Sequence, residues 1–340
     1  MKTDEYVVGL VGGTGILDQE IVAVLEEREF PCSQMVAFVD SDGDRADLTF
    51  RDEDVPVEFL REDGFEGVDL VFFVGDNDLT AKWIGDAVKA GCAIVDCSTD
   101  RDEDSLAPVI ASGVNDEALA GKRMAASPGA TSLQLAAVLK PLHDTFAIKR
   151  VVVSTYQPVS SQGHPGIEEL ESQLRHLLNY QEAQSEVFPY QIAFNCLPQI
   201  GVLHEDEYTS QETSLIRETM QILGDEALRI TATACLVPTL FGNGLSVNME
   251  TSQAISPRDA RAILSQIDGI TVFDNPAEEM YPMPLIVSGH DDVFVGRIRK
   301  DASVEHGLNL WIVGDNIRNQ AVNAVRIGEG LREKGLGVSN

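Results

Sequence analysis

Apolar residues in this chain fall into two regimes. Over the first third they come as short, nearly unbroken runs: EYVVGLV (Glu5 to Val11), MVAFVD (Met35 to Asp40), DLVFFVG (Asp69 to Gly75) and CAIVDCS (Cys92 to Ser98). Such runs predict strands buried on both faces of a parallel sheet. Between them lie segments with apolar residues at helical spacing, IVAVLEE after the first run and DLTAKWIGDAVKAG, closed by Gly91, after the third. Alternating strands and helices of this kind predict an α/β fold with a doubly wound parallel sheet.

Beyond the turn ASPGATS the pattern changes. A helix is predicted over Ser132 to His143, with Thr131 or Ser132 as its N-cap. RVVVSTYQPVS, LRITATACLVP, LSVNMETS, DDVFVGRIR and LNLWIVGDN are longer strand-like runs, several alternating apolar with polar as in an antiparallel sheet with one covered face. Helices are interspersed at IEELESQLRHLL and from Ser256-Pro257, where serine caps and proline takes the first helical position. A last amphipathic helix, about Gln320 to Lys334, returns to the first domain. The expected division is residues 1–131 with about 318–340 in one domain and 132–317 in the other.

Charge removes several classes of function. With 340 residues and a formal net charge of -30, the surface repels phosphate backbones and anionic membrane, so no nucleic-acid or membrane partner is expected. So acidic a surface also suits high salt, where screening relieves self-repulsion. No apolar run approaches the roughly 20 residues of a membrane span, and the acidic start is unlike a secretory signal, so a cytoplasmic location is expected. The five cysteines, Cys32, Cys92, Cys97, Cys196 and Cys235, are scattered without zinc-like spacing and read as reduced thiols; no metal site is expected.

The turn Gly12-Gly13-Thr14-Gly15 lies between a strand and a helix, where glycines let backbone approach a pyrophosphate and a helix N-terminus favours its charge. The third glycine of a G-x-G-x-x-G match is Asp18, however, and a carboxylate about 6 Å from a diphosphate costs roughly 1 to 3 kcal/mol per charge pair. A turn glycine and a helix-dipole aspartate need no ligand at all. Asp40 ends the second strand, where an acid can accept hydrogen bonds from an adenine ribose, so NAD is favoured if any dinucleotide binds, and Asp42 and Asp44 would repel the extra phosphate of NADP. An acidic solvated loop is the competing reading.

The segments VGLVGGTG, EEREFP, FEGVDL, DAVKAG, LKPLHDTFAIKRVVVSTYQPVS, GIEELE, VFPYQIAFNCLPQIG, SVNMET, YPMP, VFVGRIRKD and LNLWIVGDN, in this order, resemble the bacterial aspartate-semialdehyde dehydrogenase family from about residue 5 to about residue 330. The resemblance implies a Rossmann-type domain for NADP or NAD, an α+β catalytic and dimerisation domain with a mixed sheet, and a homodimer. It implies reduction of β-aspartyl phosphate by NADPH through an enzyme thioester, on the route to lysine, methionine and threonine.

The residues that carry this chemistry in the family differ here. Ala130, in Ser127-Pro128-Gly129-Ala130-Thr131, stands at the position of the nucleophilic cysteine, and a methyl group can neither displace phosphate nor hold an acyl group. Leu236 stands where an arginine clamps the substrate carboxylate, and Asn243 where a histidine acts as acid and base. Arg101 is one position away from the family's phosphate-binding arginine, Ser214 replaces a phosphate-binding lysine, and the stretch Arg318-Asn319-Gln320-Ala321 is one residue shorter than its family counterpart. Gln157, which positions the acyl intermediate, and Glu212, which contacts the substrate amino group, are retained. The pattern resembles degenerate, Usg-type homologues.

Beside retained family activity, which NADPH-dependent reductive dephosphorylation would reveal, two functions compete on this reading. One is a non-catalytic homologue that keeps fold and dimer and binds a protein or metabolite. The other is a repurposed NAD(P)-dependent oxidoreductase for an aldehyde or acyl group, whose candidate groups are Cys97, Cys235, Thr131, His164 and Glu212; His164, in the turn Ser161-Gln162-Gly163-His164-Pro165, also reads as a surface-loop residue with no role.

Overall fold

A computed structural model describes residues 5–12, 15–40, 48–75, 77–98 and 107–335. The chain divides into two compact units, residues 1–129 with 320–340, and residues 130–319.

In the first unit the apolar runs become β1 (Tyr6–Val11) and β2 (Cys32–Val39), separated by α1 (Ile16–Glu27). The minor pair β3 (Thr49–Phe50) and β4 (Glu53–Asp54) follows, then β5 (Val57–Phe59) and β6 (Leu70–Phe73). Helix α2 (Asn77–Ala90), β7 (Ala93–Asp96) and β8 (Met124–Ala126) complete this part of the chain. The sheet order β5-β2-β1-β6-β7-β8 is parallel throughout, with the order reversing beside β1. Every side chain of β6 and β7 is buried, which is why these segments carry no polar alternation. One face packs against Ile21, Val24 and Leu25 of α1 and against Ala321, Val325 and Ile327; the other packs around Phe38, Phe65 and Phe73.

The second unit begins with α3 (Ala130–Phe146), β9 (Ile148–Gln157) and α4 (Gly163–Leu178). Helix α5 (Ser210–Leu223), β10 (Arg229–Leu236), β11 (Asn243–Thr251) and α6 (Pro257–Leu264) follow. The remaining elements are β12 (Ile270–Val272), the single turn α7 (Pro284–Val287), β13 (Val293–Lys300), β14 (Gly307–Gly314) and α8 (Asn316–Gly335), whose residues from 320 on belong to the first unit. The sheet order is β10-β9-β11-β14-β13-β12. It is mixed: β9 with β10 and β12 with β13 run parallel, and the other neighbours antiparallel. Leu135, Val138, Leu139 and Leu142 of α3, Leu215 of α5 and Leu264 of α6 bury one face of this sheet with Val151, Val247 and Leu310.

Three expectations need correction. Helix α3 starts at Ala130, so Thr131 and Ser132 are buried first-turn residues rather than caps. Helix α8 starts at Asn316, not near Gln320: Asp315 turns back to accept hydrogen bonds from the N–H groups of Ile317 and Arg318, both at 2.9 Å, which closes the first turn directly after β14. His164 is no loop residue but an exposed member of the first turn of α4.

Candidate functional site

Strands β9 and β10 run parallel with Leu236 in register with Gln157, and Gly244 of antiparallel β11 pairs with Tyr156. Gln157, Leu236 and Asn243 therefore meet at one end of three adjacent strands. Ala130 joins them through α3, because Gln134 lies one helical turn further on the same face and binds Asn243.

Asn243 is buried, and its amide is the head of a chain of side chains. Its Nδ2 donates to Gln134 Oε1 at 3.1 Å; Gln134 Nε2 donates to Asn319 Oδ1 at 2.9 Å; Asn319 Nδ2 donates to the Asp291 carbonyl at 2.9 Å. Asn243 Oδ1 has no hydrogen-bond partner among the described residues. A second amide, Asn316, accepts from Gly242 N at 2.9 Å and donates to Ser160 Oγ at 3.1 Å, holding the turn that leads into β11. Gly242 requires its φ of +86° there, against Pro284.

Leu236 belongs to an apolar cluster with Val159, Leu170, Phe188, Ile192 and Leu197. Gln157 is buried and donates to Thr155 Oγ1 at 3.2 Å. Thr131 Oγ1 accepts from Gln211 Nε2 at 3.4 Å. Glu212 has a structural employment. Its Oε2 accepts from Thr209 N at 2.8 Å as the third helical residue of α5, while Thr209 Oγ1 accepts from Glu212 N, and its Oε1 accepts from Ala234 N on β10 at 2.9 Å.

Among the thiols offered for a different chemistry, Cys97 is buried, and Cys235 is half-buried with its pKa pushed up to about 11 by burial, by adjacent Cys196 and by Glu212. No group of His, Cys, Asp and Glu suited to a metal ion occurs among the described residues.

At the nucleotide end of the first unit, Gly13 and Thr14 lie outside the described residues, as do Asp42, Asp44 and Arg101. Gly12 has φ +138°, and a Cβ on it would lie 2.6 Å from Gly75 N, so contact between the ends of β1 and β6 demands this glycine without any ligand. Asp18 is buried at the first turn of α1, where its Oδ2 accepts from Gly15 N at 3.0 Å and its Oδ1 has no partner among the described residues. Burial raises its pKa from 3.8 to about 7 against the opposing pull of that hydrogen bond. The helix end that would receive a diphosphate thus already holds a carboxyl group, and at this point the residues do not fit the cofactor. Asp40, at the end of β2, pairs with Lys82 of α2 at 3.0 Å and is half-exposed, an ion pair weak enough to yield to a ribose. No described helix is long and apolar enough to cross a membrane.

Parallel sheet, mixed sheet and their order define a two-domain dehydrogenase architecture, and family models agree. Residues 7–122 match the semialdehyde dehydrogenase NAD binding domain and residues 139–319 the semialdehyde dehydrogenase dimerisation domain. The chain is 40% identical to aspartate-semialdehyde dehydrogenase of Aquifex aeolicus, covering 97% of this chain and 99% of that one. It is 39% identical to the enzyme of Legionella pneumophila, covering 97% and 96%. The crystal structure of aspartate semialdehyde dehydrogenase II from Vibrio cholerae superposes with a TM-score of 0.90 at 34% identity, over 96% of this chain and 98% of that one. The chain belongs to the aspartate-semialdehyde dehydrogenase family.

Proposed function

We propose that this chain is a non-catalytic homologue of aspartate-semialdehyde dehydrogenase, a homodimer that acts by binding rather than by hydride transfer. The observation that carries the reading is Asn243. The residue at the position of the family's proton carrier is an amide, which does not titrate near neutral pH, and its N–H is committed to Gln134. Ala130, one turn away on the same helix, offers a methyl where thioester chemistry needs a thiolate. Leu236, built into an apolar cluster, offers no cation to a substrate carboxylate. Loss of such a cooperating set costs on the order of 10³ to 10⁶ in rate. Asp18 further disfavours the diphosphate of a dinucleotide, and Asp40 favours NAD over NADP should one bind.

The test is direct. Purified protein with aspartate semialdehyde, phosphate and either NADP or NAD is expected to produce no reduced nicotinamide above the enzyme-free rate. The single replacement Ala130→Cys is expected not to restore turnover, because Leu236 and Asn243 remain. Turnover by the unaltered chain within roughly a hundredfold of a working relative, assayed in parallel, would overturn the proposal.

A further inference from the structure

Two thiols that the parent chemistry does not use lie diagonally across a short antiparallel pairing at the edge of the same sheet end. Leu197 and Leu236 exchange both backbone hydrogen bonds, Leu197 N to Leu236 O at 3.0 Å and Leu236 N to Leu197 O at 2.8 Å. Their side chains both enter the apolar cluster around Val159 and Phe188. Because successive residues of extended chain face opposite ways, Cys196 and Cys235 project together to the other side. There the Cys196 thiol lies close enough to Cys235 to help raise its pKa. The segment bearing Cys196 is held from its other side as well, since Gln173 Oε1 accepts from Ile192 N at 2.9 Å and Ala193 N at 3.0 Å. Cys196 is exposed, Cys235 half-buried, and the remaining cysteines are buried.

We propose that Cys196 and Cys235 are a reversible dithiol–disulfide pair, an oxidation site that takes a peroxide as its oxidant and staples the 188–200 segment to β10 beside Leu236. The accessible Cys196 is the attacking group. Its thiolate sulfur bonds to one peroxide oxygen as the O–O bond breaks and hydroxide leaves, to be protonated to water. The resulting sulfenic acid is attacked by the Cys235 sulfur; the S–S bond forms, the S–OH bond breaks, and the hydroxyl departs as a second water with the proton that Cys235 gives up. Two thiols are oxidised to one disulfide while one hydrogen peroxide is reduced to two waters. Burial and the neighbouring Cys196 raise the Cys235 pKa, so this thiol gives up its proton only as it attacks, and the second step is the slower of the two.

Native protein treated with a small excess of hydrogen peroxide, then alkylated after unfolding and digested with trypsin, reads the outcome. The two cysteines fall in different tryptic peptides, residues 176–217 and 230–258. The expected result is one cross-link between these peptides, two hydrogens lighter than their sum and abolished by dithiothreitol, with a melting midpoint raised by roughly 5 to 15 °C. In Cys235→Ser, Cys196 is expected to accumulate as sulfenic acid trapped by dimedone. Phenylarsine oxide, which bridges adjacent thiols, is expected to bind native protein and to lose that binding in Cys196→Ser and in Cys235→Ser. Alkylation of Cys235 in full after peroxide treatment, a cross-link between two copies of Cys196, or arsenical binding unchanged in the variants would overturn the proposal.

Discussion

Replacing Asp18 by asparagine should stabilise the protein, and by an amount that depends on pH. In the unfolded chain this carboxyl titrates at its ordinary 3.8, and in the folded protein at about 7 because burial withholds water from the anion. Below the lower value both states hold the proton and folding carries no penalty. Between the two, the folded state keeps a proton that the unfolded state releases, so stability falls as pH rises, and above the folded pKa the whole penalty is in place. The interval from 3.8 to about 7, at 1.36 kcal/mol per pH decade, corresponds to about 4 kcal/mol. Asparagine keeps an oxygen to accept from Gly15 N and removes the charge. The chain is near its isoelectric point of about 4.4 in mild acid, so the useful window starts higher. Between about pH 5.5 and about pH 8.5 the advantage of Asp18→Asn should grow by about 2 kcal/mol. Urea titrations of both proteins through this window measure it, and repulsion among the other carboxylates cancels in the difference. A difference that stays flat across the window would refute the assignment of an ionised, water-starved carboxylate at this helix end.

Three further outcomes are expected. Glu212→Ala leaves the buried N–H groups of Thr209 and Ala234 without acceptors and should cost roughly 2 to 4 kcal/mol in denaturant unfolding; a neutral result would dismiss its capping role. Gly12→Ala forces a Cβ to 2.6 Å from Gly75 N at a φ of +138°, so thermal melting should report a loss of about 2 to 4 kcal/mol, and a variant as stable as the native chain would mean that the strand ends can part freely. Asp274, with no exposed side-chain surface, accepts from Arg261 Nε at 2.8 Å and from the backbone of Arg297 and Ile298; Asp274→Ala should cost about 3 to 5 kcal/mol, with a change under about 1 kcal/mol contradicting it.

The strands of the first unit were readable because burial on both faces forbids polar residues within them, leaving unbroken runs such as Leu70 to Phe73. Alternation served equally for β9 and β14, although it could not say which neighbours run parallel. Short β3, β4, β5, β8 and β12 escaped notice, since two or three residues carry no period. The start of α8 was missed because Asp315 does its capping from outside the helix while looking like the end of a strand. For Glu212 the signal was present: Thr209-x-x-Glu212 before an apolar-periodic segment is a capping box, and it accounts for this carboxylate before any substrate does. The side-chain chain from Asn243 through Gln134 to Asn319 had no signal, because its members come from three elements more than a hundred residues apart at the extremes, and amides follow no periodicity.

That chain of amides is a one-way conductor of polarity. A carbonyl can only accept, so the Asp291 carbonyl obliges Asn319 to donate; Asn319 must then accept from Gln134, and Gln134 from Asn243. The direction in which Asn243 presents its oxygen is thereby dictated by a backbone group three residues removed in the relay and 48 positions away in sequence. Placing a histidine at this position is consequently not a local edit: the newcomer inherits a neighbour, Gln134 Oε1, that demands a donor, and must present one of its ring nitrogens protonated.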